Sequence, residues 1–178
     1  MRERVWQKAF AEAGTLEKYH ATRPHYRNEN ARITAYHRSV SGWLSRLKPV
    51  PPYCASFVWY CFTQAGLYPR VPEPARARSW FVHSRIILTQ PMMRGNRRML
   101  VLPKKGDIIG YNFNGSQISH IEVLERIDLD AGYLWAMGGN TSNSAALGVN
   151  RDGEGTYYVR RKLNSFLKIS EIVEIKKK

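Results

Sequence analysis

Cysteine, acidic side chains and long apolar runs are all scarce in this sequence, and each shortage closes off a class of protein. Only two cysteines, Cys54 and Cys61, occur among 178 residues, too few for a disulfide framework or a cysteine-rich metal site. On one helix their spacing amounts to about 10 Å of rise, beyond the reach of a bridge, so both are expected as free thiols. No apolar run reaches the length of a bilayer span. The first twenty residues include Arg2, Glu3, Arg4, Lys8, Glu12 and Glu17, which break up the apolar core that a secretory signal requires. The expectation is synthesis in the cytoplasm with no visible signal peptide and no transmembrane segment.

The acidic shortage leaves 14 Asp and Glu against 28 Lys and Arg, a formal net charge of +14. Such an excess suits an anionic polymer, whether nucleic acid, an anionic membrane surface or a wall bearing teichoic acid. Basic residues concentrate from Arg94 to Lys105, from Arg160 to Lys162, and at Lys176, Lys177 and Lys178. A solvated basic surface is the alternative reading of the same residues.

What is present is enough apolar sequence, 43% of the chain, to bury one substantial core. The expectation is a single domain over 1–178. Val5, Trp6, Phe10 and Ala13 fall near helical spacing and predict a first helix from Arg4 to about Leu16. Ile33, Tyr36, Val40, Trp43 and Leu44 predict a second, stopping before Pro49, Pro51 and Pro52. These make up a helical lead-in over 1–50. The stretch 51–67 holds a third helix, from Cys54 to Ala65, apolar nearly all round and closed by Gly66. Tyr68 to Pro103 shows no regular pattern and reads as a surface excursion. Within 104–165, four runs rich in β-branched and aromatic residues are separated by turn signals: Asp107 to Phe113, His120 to Ile127, Tyr133 to Met137 and Thr156 to Leu163. Helices followed by strands predict an α+β fold with the buried third helix packed on an antiparallel sheet.

Chemistry concentrates on that helix. Pro51 and Pro52 cannot continue inside it, so it starts almost at Cys54 and sets the sulfur beside unpaired N–H groups, where the helix dipole favours a thiolate. On helix position alone a buried structural thiol remains the ordinary reading. Cys61 lies two turns further in, in an apolar run, and reads as core. A nucleophile needs a base and the base an orienter. His20 and His25 sit in a polar loop, His37 on the second helix and His83 in the irregular segment. His120 opens a strand, a stiff mount, and shares a face with Glu122 while Ile121 and Val123 share the other. Asn140, just beyond the next strand, is placed to accept an imidazole N–H, although Asn after two glycines is also a common turn residue.

Together these segments resemble the CHAP family, the cysteine- and histidine-dependent amidohydrolases and peptidases of the papain-like superfamily that cut peptidoglycan. Four blocks carry the resemblance in order: the run from Tyr53 to Phe62 with Gln64, Ala65 and Gly66; Pro103 to Ile109; Ser119 to Glu125; and Gly138 to Thr141. The resemblance implies a papain-like fold with Cys54 as nucleophile and His120 as base. Ser119 departs from the acidic residue often found before that histidine, and Glu122 stands where the family often has glycine. Gly138 stands where many members carry the glutamate that orients the base, which leaves Asn140 as the third catalytic member. The aspartate-rich calcium loop that some members carry before the nucleophile is not apparent here, so no metal is expected, and no cofactor. Tyr53, Trp59, Trp80 and Tyr111 are the candidates to line a substrate groove.

The expected activity is cleavage of an amide bond in cell-wall peptide, as an N-acetylmuramoyl-L-alanine amidase or an endopeptidase, in the manner of a phage lysin or a delivered antibacterial effector. Its expected partner is peptidoglycan or another anionic wall polymer, met at the wall or in the periplasm after lysis or secretion. Two rivals stand beside it: a basic module that binds nucleic acid through Arg94 to Lys105 without chemistry, and a papain-like protein peptidase or acyltransferase.

Overall fold

The computed structural model describes residues 1–17, 30–95, 101–113, 117–142, 155–165, 168–171 and 175–176. Its architecture is α+β. Four helices, α1 (Arg2–Phe10), α2 (Ala31–Val40), α3 (Cys54–Gln64) and α4 (Gln90–Arg94), accompany strands β1 (Tyr68–Pro69), β2 (Ile86–Thr89), β3 (Ile108–Tyr111), β4 (His120–Asp128), β5 (Tyr133–Thr141), β6 (Gly155–Lys162), β7 (Lys168–Ser170) and β8 (Ile175–Lys176). Six of the strands form one antiparallel sheet in the order β2-β7-β3-β4-β5-β6, and β1 pairs with β8.

Helix α3 organises one face of that sheet. It begins directly after Pro51, Pro52 and Tyr53, with the Phe57 N–H closing the first turn on the Tyr53 carbonyl at 2.7 Å. It ends where Gly66 turns to φ 74° and the Leu67 N–H reaches back to the Phe62 carbonyl at 2.9 Å, a glycine-capped finish. Eight of its side chains are buried, Cys54, Ala55, Ser56, Phe57, Val58, Tyr60, Cys61 and Phe62. They pack with Val5 and Ala9 of α1, Ile33 and Tyr36 of α2, and Ile108, Ile121, Val123 and Met137 of the sheet. Gly139 on β5 lets the helix approach closely, since a Cβ there would stand 2.8 Å from the Phe57 side chain. The opposite face is covered by a second cluster that includes Leu88, Met93, Ile109, Tyr111, Leu124, Leu134, Val159 and Ile169.

Several sequence expectations change. Helix α1 stops at Phe10 instead of near Leu16, because the chain from Gly14 is drawn into pairing with β6: Gly14 N–H donates to the Thr156 carbonyl and Thr156 N–H to the Thr15 carbonyl, each at 2.9 Å. Helix α2 ends at Val40, and a separate 3-10 turn over Leu44–Arg46 carries what had read as its last turn. The segment from Tyr68 to Pro103, expected to be irregular, contributes β1, β2 and α4. Strand β5 runs on through Gly138 and Gly139 to Thr141, so Asn140 lies inside it, at a register shift and with φ 56°. No helix among the described residues is long and apolar enough to cross a membrane.

Candidate active site

The sulfur of Cys54 sits at the first residue of α3, where Tyr53 supplies no side-chain cap and the first-turn N–H groups are left to other partners. The imidazole of His120 and the backbone N–H groups of Ile121 and Ala55 are close enough to the sulfur to favour its thiolate form. Burial alone would push the thiol up; the imidazole and the two N–H groups outweigh it and hold Cys54 below its ordinary value. Cys54 and His120 each keep 6% exposure.

His120 is the first residue of β4 and pairs with Tyr111 of β3. Strand alternation puts Ile121 and Val123 against α3, so His120 and Glu122 project with Leu124 toward the other face. There Nε2 of His120 lies 3.2 Å from Oε1 of Glu122. With Nε2 held by the carboxylate, Nδ1 is the ring nitrogen that serves the sulfur. Desolvation would lower the imidazole, but Cys54 and Glu122 raise it to about 9. A depressed thiol against a raised imidazole describes a thiolate–imidazolium pair.

Glu122 is fully buried and accepts Arg161 Nε on both oxygens, at 3.1 and 3.2 Å, as well as Arg161 Nη2. Burial raises such a carboxylate; Arg161 and then His120 overcome that and hold Glu122 far below its ordinary range. Nη2 of Arg161 also donates to the Thr141 hydroxyl at 2.9 Å. Gly138 faces Glu122 directly across the β4–β5 ladder, and a Cβ on it would stand 2.9 Å from Glu122 Oε1. Glu122 thus occupies the position facing Gly138, with the glycine clearing its space.

That arrangement corrects the third member. Glu122, and not Asn140, is the group on His120 Nε2, because Asn140 occupies the left-handed kink in β5 while Glu122 shares the imidazole's face. The groove aromatics are corrected as well. Tyr53, Trp80 and Tyr111 have no exposed surface and serve packing, while Trp59 is partly buried against the same core, its indole N–H turned inward to the Ser39 carbonyl at 3.0 Å. Phe113 is the ring sequence reasoning passed over: it is 42% exposed, lies flat on Tyr111 and has its centroid 5.7 Å from that of His120.

The other residues divide clearly. Cys61 is buried in the apolar cluster and its thiol is pushed well up by desolvation. His37, buried, uses Nε2–H on the Pro51 carbonyl at 3.1 Å and Nδ1 on the Ser56 hydroxyl at 3.0 Å, which ties α2 to the entry and first turn of α3. His83 is exposed. His20 and His25 lie outside the described residues, as do 96–100 within the basic segment from Arg94 to Lys105. A cavity of about 480 Å³ lies at the far end of β4–β6, bordered by Arg94, Leu129, Tyr133 and Lys162, away from the sulfur. No protein-family model, no curated protein and no solved structure significantly matches this chain.

Proposed function

We propose that this chain is a papain-like cysteine amidohydrolase that cleaves an amide bond of bacterial cell-wall peptide. The observation that supports the reading is Cys54 at the start of a buried helix beside His120 on a rigid strand, with Glu122 3.2 Å from the imidazole Nε2. Nucleophile, base and orienter act as a unit, and this unit has all three.

The sulfur, as thiolate, attacks the amide carbonyl. N–H groups at the start of α3 receive the negative charge that develops on its oxygen. The imidazolium then gives its proton to the departing amine, leaving a thioester on Cys54. Water adds to the thioester with His120 taking its proton, the acid leaves, and the pair returns to its starting state. Glu122 keeps the imidazole oriented throughout.

Cell-wall peptide is favoured over other amides by the four ordered sequence blocks and by the +14 charge, which suits an anionic wall. The test is incubation of purified sacculi with wild type and Cys54→Ser, with released fragments identified by mass spectrometry. Soluble fragments bearing new amine ends, made by wild type alone, are expected, and the ends name the bond. Release of nothing from several wall types, by a preparation whose Cys54 still alkylates readily, would remove the wall from the proposal.

A further inference from the structure

Cys54, His120 and Glu122 account for three of the charged groups that meet at this site; the fourth, Arg161, has no part in the chemistry so far. It comes from β6, far along the chain, and spends its donors inward. Two nitrogens go to Glu122, Nη2 also to Thr141, and the guanidinium lies 5.3 Å from the Tyr111 ring centroid. An arginine that only solubilised the surface would point outward, whereas this side chain is 21% exposed and its carboxylate partner 0%.

We propose that Arg161 is a positioning residue for the Cys54–His120 pair: by holding Glu122 and opposing its charge, it sets the pH at which the Cys54 sulfur ionises. The inference rests on the Cys–His reading above. Its physical basis is charge balance in a place with little water. Thiolate, imidazolium, carboxylate and guanidinium sum to zero, so the site can hold all four without a net buried charge. Remove the guanidinium and the same three groups carry one uncompensated negative charge, which a buried site relieves by keeping one more proton. The guanidinium cannot supply that proton or give one up, because it stays charged at every accessible pH.

Among the described residues, the neighbours that face this cluster add no other titrating charge. From β3 comes Tyr111, whose phenol burial keeps neutral; from β4, His120 and Glu122; from β5, the Thr141 hydroxyl; from β6, Arg161; and from α3, Cys54 itself. Geometry adds to charge. With both Glu122 oxygens fixed by Arg161, Oε1 stays aimed at Nε2, and the imidazole keeps Nδ1 on the sulfur.

The experiment is the pH dependence of iodoacetamide alkylation of Cys54 in the full chain, with the modified peptide identified by mass spectrometry and folding checked by thermal melts. It needs no wall substrate. In wild type the midpoint is expected well below that of a free cysteine. Arg161→Met should raise it by roughly 1 to 3 pH units, while Arg161→Lys, which keeps a cation, should stay closer to wild type than Arg161→Met does. Should Arg161→Met fail to fold, the same upward step is read in Arg161→Gln, which keeps N–H donors for Glu122 but not the charge. Equal midpoints with and without the arginine, in proteins that melt cooperatively, overturn the inference and leave the Cys–His reading standing. A wild-type midpoint like that of a free thiol overturns the Cys–His reading and this inference with it.

Discussion

The two cysteines of α3 make a controlled comparison within one molecule. Both belong to the same helix, both are buried and neither is bridged, yet Cys54 is held below its ordinary value and Cys61 is pushed well above it. Desolvation acts on each and has the same sign. The difference lies in what faces the sulfur: an imidazole and two backbone N–H groups at the helix start, against apolar packing two turns later, where the nearby carboxylate Glu12 adds to the upward push. Burial therefore does not decide whether a thiol is reactive. Position along a helix and one partner from a distant strand decide it.

The strongest way to break this comparison is to exchange the roles of the two sulfurs. Cys54→Ser is expected to lower fragment release from sacculi by roughly 10⁴-fold or more. Cys61→Ala should leave the rate per folded molecule nearly unchanged and cost about 1 kcal/mol of stability, read from a denaturant melt. Equal losses of activity in the two variants would contradict the assignment. Next in size is the orienter. Glu122→Gln should slow turnover on the order of 10² to 10⁴-fold, whereas Asn140→Gly, which keeps the left-handed backbone, should change it little. A large loss in the asparagine variant alone would return the third role to Asn140.

The pH dependence sharpens the same contrast. His120 is raised to about 9 in the folded protein, so its proton is present below that pH and lost above it. Turnover, which needs the imidazolium to protonate the leaving amine, should fall as pH rises through about 9. Alkylation of Cys54, which needs only the thiolate, should not fall with it. A parallel decline of both would remove the acid role from His120. The smallest effects should come from two adjacent glycines. Gly138→Ala pushes on the Glu122 carboxylate and should slow turnover about tenfold with a near-normal melt, while Gly139→Ala pushes on Phe57 and should cost about 1 to 3 kcal/mol of stability with turnover per folded molecule retained.

The parts of the site legible in the sequence are those fixed by local rules. Pro51 and Pro52 ahead of an apolar run place the start of α3 at Cys54, and Gly66 marks its finish, because helix boundaries depend on residues next to them. The four central strands are readable from alternation and turn residues, with ends that shift by a few positions. Strands β2 and β7 are four and three residues long and exist by pairing with each other and with β3, for which no local pattern suffices. The role of Glu122 had a visible signal, its shared face with His120, but the vacancy opposite it at Gly138 depends on the β4–β5 register. Arg161 had none, since nothing nearby in sequence tells which strand its side chain reaches across to meet. Tyr53, Trp80 and Tyr111 fail as groove residues for a related reason: bulk and position suggest contact, and only the packed core shows that their surfaces are already covered.

The reactive cluster draws on α3, β4, β5 and β6, and β6 supplies its last charged member. A copy in which β6 has not yet joined the sheet holds Cys54, His120 and Glu122 without the guanidinium that opposes Glu122, so the charge balance of the cluster is a property of the completed sheet.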